Sequence, residues 1–257
     1  MQQIQTEPVR LTFVGHSTVL IELDGVRVLT DPQLRGRFLH VERRAPPVDL
    51  AALGDIDLVL ISHAHHDHLD RGSLRKLGPN ATLVVPRGAR RLVPRSWLGP
   101  VEEIVEGGKL TVGGLEIEAT HADHRPGRIR HRGPAAVGYS IKGTKRVYFA
   151  GDTDIFPGMR DLGAGGLDAA LVPIWGWGSR LGSGHLDPDS AAEALTLLEP
   201  RVAIPIHWGT FFAIKFRRFR YDALTEPAKA FVRAAAERAP QVDVRVLAPG
   251  QTTVISD

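Results

Sequence analysis

The densest group of potential metal ligands lies in one short run, Ser62-His63-Ala64-His65-His66-Asp67-His68. It follows residues 56–61, whose apolar and β-branched side chains predict a buried strand. A divalent ion needs several nitrogen or carboxylate donors on a rigid support, and the end of such a strand provides one. A histidine-rich surface loop is the alternative, but histidines with an interleaved aspartate rarely cluster there. We therefore predict a metal site that includes His63, His65, Asp67 and His68.

Three further candidates also follow predicted strands. His121 comes after residues 115–119, Asp152 after residues 146–150, and His207 after residues 202–206. Each alone would more often be a structural residue, but strand ends are where α/β architectures gather functional groups. The chain has no cysteine, which excludes thiolate ligands, disulfides and a cysteine nucleophile. Nitrogen and oxygen donors suit Zn, Fe or Mn, and the residue types leave that choice open.

Short strands and scattered helices must position these side chains. Residues 11–14, 19–23 and 26–29 predict strands, and Asp24-Gly25 is a strong hairpin signal. Later strands are predicted at residues 82–85, 136–141, 169–174, 244–247 and 252–255. Asp187 and Pro188 predict the start of a helix over residues 188–198, and another is predicted over roughly 226–238. This mixture indicates a layered α/β (α+β) architecture in a single domain, residues 1–257.

Length and charge set the broad class. The chain has 257 residues and a formal net charge of +3, which fits an ordinary globular protein. It has no apolar run near the roughly 20 residues that span a bilayer and no basic-then-apolar start typical of a secretory signal, so a cytoplasmic location is expected. Arginines concentrate at residues 125–132 and 217–220. They form either a solvated basic face or a contact for an anionic substrate or surface.

The order His63-x-His65-x-Asp67-His68, then His121, Asp152 and His207, resembles the metal-ligand signature of the metallo-β-lactamase superfamily. Four other motifs are similar to its branch of N-acyl-phosphatidylethanolamine phospholipase D and ascorbate-phosphate lactonase-like proteins. They are Val14-Gly15-His16-Ser17-Thr18-Val19-Leu20-Ile21-Glu22, Leu29-Thr30-Asp31-Pro32, Phe149-Ala150-Gly151-Asp152-Thr153 and Ile206-His207-Trp208-Gly209-Thr210-Phe211. The likeness extends from about residue 10 to the C-terminus.

This resemblance implies a four-layer αββα sandwich with its site along one edge. It further implies two divalent metal ions, with Zn expected first and Mn or Fe as alternatives. His63, His65 and His121 would hold one ion, and Asp67, His68 and His207 the other, with Asp152 bridging them. Metal binding lowers the pKa of water to about 7, so a bound hydroxide can attack without a serine or cysteine nucleophile. Asp67 is accordingly predicted to be catalytic.

Other histidines receive lesser roles. His185, in Gly182-Ser183-Gly184-His185-Leu186-Asp187-Pro188, resembles a general acid or a residue that binds a substrate oxygen. The alternative is a loop histidine that stabilises the entry to the helix. His16 is interpreted as a turn histidine bonded to nearby backbone, and His66, His124 and His131 as loop residues.

A phosphodiester, in a small or lipid-like anionic substrate, is the favoured target. Arg125 and Arg128 could hold an anionic group, while Trp175 and Trp177 would form an apolar wall or belong to the core. A lactonase, a nuclease and a non-catalytic metal-binding protein are the alternatives. No specific nucleic-acid binding is expected. A weak contact of residues 216–220 with a membrane surface and a homo-oligomer stay open.

Overall fold

The first part of the chain folds into antiparallel hairpins. The computed structural model describes residues 8–78, 80–124, 133–176, 181–214 and 222–256. Strands β1 (Val9–Gly15), β2 (Thr18–Leu23) and β3 (Val26–Thr30) pair in sequence order. Asp24 and Gly25 connect the last two with φ angles of 50° and 77°, the left-handed pair that a tight hairpin turn requires. The predicted hairpin is confirmed.

These strands belong to a seven-stranded sheet. Its other members are β6 (Leu58–Leu60), β7 (Thr82–Pro86), β8 (Val101–Ile104) and β17 (Gln251–Ile255). The order is β17-β1-β2-β3-β6-β7-β8. From β3 to β8 the strands run parallel, so the chain leaves these strands at the same edge of the sheet.

A second seven-stranded sheet has a similar division. It contains β9 (Lys109–Val112), β10 (Leu115–His121), β11 (Val137–Lys142), β12 (Arg146–Phe149), β13 (Ala169–Pro173), β14 (Val202–Ile206) and β16 (Asp243–Val244). The order is β16-β14-β13-β12-β11-β10-β9, and the strands from β12 to β16 are parallel. A small third sheet joins β4 (Arg37–Phe38), β5 (Val41–Arg43) and β15 (Phe211–Ala213).

The main core lies between the two large sheets. Side chains from both, such as Phe13, Leu60, Tyr139 and Ile204, form one buried cluster. The helices are α1 (Leu50–Leu53), α2 (Arg71–Leu74), α3 (Met159–Ala164), α4 (Pro188–Leu198) and α5 (Asp222–Arg238), with a 3₁₀ turn at Arg90–Leu92. Helices α1 and α2 contribute to a core on the outer face of the first sheet, and α3 to α5 do so on the second. The predicted four-layer αββα sandwich is confirmed.

The two longest helices differ in how well their starts were predicted. Helix α4 begins as expected, because the Asp187 carboxylate accepts a hydrogen bond from Ser190 N at 2.8 Å. Helix α5 begins at Asp222, four residues before the predicted start, and Pro227 lies inside it. Packing of Phe231 and its neighbours against α4 outweighs the backbone hydrogen bond that the proline lacks. Within the described residues, no helix is both long and apolar enough to cross a membrane.

Candidate metal centre

Loops from both large sheets meet at one edge of the sandwich. Residues 61–68 follow β6 of the first sheet, while Asp152 and His207 follow β12 and β14 of the second. His16 follows β1, and its carbonyl accepts a hydrogen bond from His207 N at 2.8 Å. This backbone contact joins the sheets beside the histidine cluster, so side chains far apart in sequence are brought together.

A first group of donors consists of three histidines. His63 Nε2 lies 2.9 Å from His65 Nδ1, which lies 3.2 Å from His124 Nε2. His63 and His124 are buried, and His65 is partly exposed. His124 Nδ1 donates to the Gly184 carbonyl at 2.7 Å, so its Nε2 carries a lone pair that faces His65. Three imidazole nitrogens therefore converge on one point.

A second group of donors adds a carboxylate to three other histidines. Asp67 Oδ2 lies 3.2 Å from His16 Nε2, 3.5 Å from His68 Nε2 and 3.6 Å from His207 Nε2. The three histidines are at most 2 % exposed, whereas the Asp67 side chain is 15 % exposed. The carboxylate oxygen is thus surrounded by nitrogens at the spacing of atoms around a common ion.

Asp152 lies between the two groups. Its Oδ2 is 3.8 Å from His63 Nε2 and 3.3 Å from His68 Nε2, and its Oδ1 is 3.5 Å from His207 Nε2. Its Oδ2 is also 3.7 Å from His185 Nε2. The His185 side chain is 28 % exposed, so it lies where the cluster opens to solvent. The structure therefore places His185 beside Asp152.

A buried carboxylate behind the cluster orients one histidine of each group. Asp31 Oδ2 accepts from His68 Nδ1 at 2.6 Å and from the Ser62 hydroxyl at 2.5 Å. The same hydroxyl accepts from His63 Nδ1 at 2.9 Å. Because both Nδ1 atoms then carry protons, His63 Nε2 presents a lone pair to the site, and His68 Nε2 does so once its own proton is displaced. Asp31 is fully buried, which strengthens these contacts.

The protonation states suit a cation. Burial lowers the pKa of His16 to about 3 and that of His124 to about 4, so both rings are neutral. Burial raises the pKa of Asp67 and Asp152, but the surrounding histidines more than offset this, and both carboxyls ionise well below their usual range. Burial also lowers the pKa of His68, but the carboxylates of Asp152, Asp67 and Asp31 more than offset this. The pKa of His68 therefore lies well above its usual value. The two carboxylates thus attract positive charge to the cluster.

A family model for the beta-lactamase superfamily domain matches residues 26–208. The chain belongs to the beta-lactamase superfamily. It is 35 % identical over 249 residues to a UPF0173 metal-dependent hydrolase of Methanopyrus kandleri, covering 95 % of this chain and 98 % of that protein. It is 32 % identical over 228 residues to N-acyl-phosphatidylethanolamine-hydrolyzing phospholipase D 1 of Caenorhabditis elegans, covering 78 % of this chain and 64 % of that protein.

A solved structure extends the likeness to three dimensions. Igni18, a metallo hydrolase from the archaeon Ignicoccus hospitalis, has a TM-score of 0.71 and 28 % sequence identity, covering 98 % of this chain and all of that one. This superfamily member is accordingly a metal-dependent hydrolase. Its histidine and aspartate cluster is the place where metal ions could bind.

The donor atoms of this beta-lactamase superfamily member fit metal ions. Two donors bound to one zinc ion at 2.0–2.1 Å with a tetrahedral angle lie about 3.4 Å apart. The five distances given above within the two groups range from 2.9 to 3.6 Å, and all donor atoms of each group lie within 4.8 Å of one another. Within the described part of the chain, buried His68 Nε2 and Asp152 Oδ1 have no hydrogen-bond partner. Buried polar atoms are rarely left unpaired, and a cation would satisfy both.

The structure corrects the choice of His121 as a ligand. Strand β10 extends two residues beyond its predicted end, to His121, whose side chain is 45 % exposed and bonded to Glu106 Oε2 at 2.9 Å. The next residues then cross to the site, because Asp123 pairs with Asp154. His124, which the sequence predicts to be a loop residue, lies with His63 and His65 at the place expected for His121.

The sequence interpretation also missed two other residues that contribute to the cluster, His16 and Asp31. His16, interpreted as a turn histidine bonded to backbone, points its ring into the second group of donors. Asp31 belongs to a motif that supports the resemblance, but the sequence interpretation assigned it no role at the site. Both follow strands of the first sheet, and this was the signal that identified His207 and Asp152.

The residues predicted to bind substrate are only partly described. Trp175 is half-buried and packs against the core on the outer side of the second sheet. Arg125, Arg128 and Trp177 lie outside the described residues. Of the remaining loop histidines, His66 is exposed, in agreement with its interpretation, and His131 lies outside the described residues.

Proposed function

We propose that this metal-dependent hydrolase holds two divalent ions and cleaves a phosphodiester in a phospholipid-like substrate. The observation that supports this most strongly is the convergence of two donor groups on the shared carboxylate of Asp152. His63, His65 and His124 would bind the first ion, and Asp67, His68 and His207 the second, with Asp152 between them. Nitrogen and oxygen donors at this spacing favour zinc, with manganese or iron as alternatives.

Two bound ions would supply a water of lowered pKa and a strong electrophile. The chain contributes the arrangement around them. Two dications against the carboxylates of Asp67 and Asp152 leave a net positive charge, which attracts an anionic diester. His185 Nε2 lies beside Asp152 on the partly exposed side of the cluster. We propose that His185 donates the proton that the leaving oxygen needs.

The relative from Caenorhabditis elegans supports a phospholipid-like substrate, since its name describes a phospholipase that hydrolyses N-acyl-phosphatidylethanolamine. The phosphodiester is the bond shared by all phospholipase D substrates, so it is the bond that we propose this protein cleaves.

The test compares a generic aryl phosphodiester with a simple lactone, using zinc-loaded protein. We expect phosphodiester cleavage that falls by at least about 100-fold in Asp67→Ala, the size of effect typical of a group acting on the transition state. His121→Ala is the matched control, because this histidine is exposed and bonded to Glu106 rather than to the cluster. It should retain the wild-type rate. Lactone opening alone, or full phosphodiester activity in metal-loaded Asp67→Ala, would refute the proposal.

A further inference from the structure

We propose that His16 is an additional ligand of the second ion, so that the protein closes this position and leaves the first open to substrate. This inference rests on the proposed two-ion site. The two positions would then be unequal: His16 would help the protein retain the second ion, while the first position would stay accessible to substrate beside His185.

The position of the His16 ring supports ligation. Its Nε2 lies 3.2 Å from Asp67 Oδ2, the shortest of the three contacts that this oxygen makes with surrounding histidines. The ring centroid lies 4.0 Å from that of His207. Phe211 packs edge-on against the His16 ring at 5.8 Å. Nε2 is therefore placed at the distance of a co-ligand from Asp67.

The backbone holds His16 in an unusual conformation. Its φ is 58°, and that of His207 is 62°, both in the left-handed region that residues other than glycine rarely adopt. His16 N donates to Thr210 Oγ1 at 2.7 Å, and His207 N donates to the His16 carbonyl at 2.8 Å. Such strain persists where the surrounding structure enforces it, often at functional sites. Here it directs two rings from opposite sheets to one carboxylate.

The donor count then separates the two positions. The second would have His16, Asp67, His68 and His207 as well as the shared Asp152, which is five donors. The first would have His63, His65 and His124 with Asp152. With Asp152 shared, the first position has three ligands of its own, the number that catalytic zinc sites use, and the second has four, the number of a closed structural site. Exposure agrees, since His65 at the first position is partly exposed and His185 beside it is 28 % exposed, whereas the three histidines of the second position are buried and Asp67 is 15 % exposed.

The decisive variant is His16→Gly, because glycine adopts a φ of 58° without strain and the backbone contacts are kept. Zinc content after dialysis and zinc affinity in competition with a chelator are the readouts. We expect the wild type to bind two ions and His16→Gly to bind one of them at least about 100-fold more weakly. Loss of a residue that only orients a ligand costs about 10–100-fold in affinity, and loss of a ligand should cost at least as much. His121→Ala serves as the histidine control and should bind both ions.

A second variant identifies which ion is affected. His124→Ala should weaken the first ion and His16→Gly the second, so the double variant should retain neither. Imidazole added to His16→Gly should restore the second ion and the wild-type absorption spectrum of the cobalt-substituted protein. His16→Asn, which tolerates left-handed φ, replaces the glycine variant if the latter does not fold.

The outcomes distinguish this inference from the function on which it rests. Wild-type affinity for both ions and an unchanged cobalt spectrum in His16→Gly would overturn the ligand role. Loss of the same ion in His16→Gly and His124→Ala would also overturn it, because the double variant would then keep one ion. A wild-type protein that binds fewer than two ions would instead refute the proposed two-ion site.

Discussion

Substitution of Asp31 should weaken metal binding at both proposed positions, although Asp31 is not itself a proposed ligand. The change Asp31→Asn keeps the size of the side chain and replaces one oxygen by an amide NH₂. Asp31 Oδ1 accepts from Ser62 N at 2.7 Å, and Oδ2 accepts from the Ser62 hydroxyl and from His68 Nδ1. Whichever way the amide is turned, its NH₂ must face at least one of these donors.

The magnitude follows from the contacts that are lost. Hydrogen bonds to a charged group each contribute about 1.5–3 kcal/mol, and at least one is replaced by a contact between two donors. We expect the free energy of unfolding to fall by about 2–4 kcal/mol, equivalent to roughly 4–16 °C in Tm for a chain of this size. Zinc affinity should fall by about 10–100-fold, as for other residues that orient metal ligands.

A chelator competition and a thermal melt measure the two effects separately. Asp70→Asn is the matched control, because Asp70 is also a buried carboxylate but bonds to Ser73 and Arg35 instead of the cluster. It should lower Tm while zinc affinity stays at the wild-type value. Wild-type zinc affinity in Asp31→Asn, or equal affinity losses in both variants, would refute the reasoning.

Two further predictions concern protons. His185→Ala should lower the rate of cleavage at least about 10-fold more for diesters with a poorly acidic alcohol leaving group than for those with 4-nitrophenolate, because only the former need a general acid. Equal rate losses for both substrates in steady-state assays would contradict this role. Burial lowers the pKa of His68 and His207, but the nearby carboxylates more than offset it and hold both pKa values above the usual value in the metal-free protein. Both rings therefore gain protons that an incoming ion must displace. Zinc affinity should therefore rise by up to about tenfold per pH unit for each proton released below these pKa values, and zinc titration in a weak buffer with an indicator should show that release. A pH-independent affinity would exclude it.

The local features were determined by the sequence itself. The run from His63 to His68 was identified because its donors lie within one turn after a strand, so their proximity depends on chain connectivity alone. Asp152 and His207 were identified because each follows a buried strand, and the ends of parallel strands share an edge of the sheet. The hairpin at Asp24-Gly25 and the cap at Asp187 are likewise set by neighbouring residues.

Contacts between distant segments were decided only by the tertiary structure. His121 and His124 are three residues apart, and the pairing of Asp123 with Asp154 determines which of them reaches His65. His16 reaches Asp67 because the second sheet, through His207 and Thr210, holds its backbone in a left-handed conformation. Asp31 orients His63 and His68 because β3 and β6 pair side by side. A sequence shows which side chains can bind a metal ion. Which of them point into the site depends on where the strands end and on backbone contacts between the two sheets.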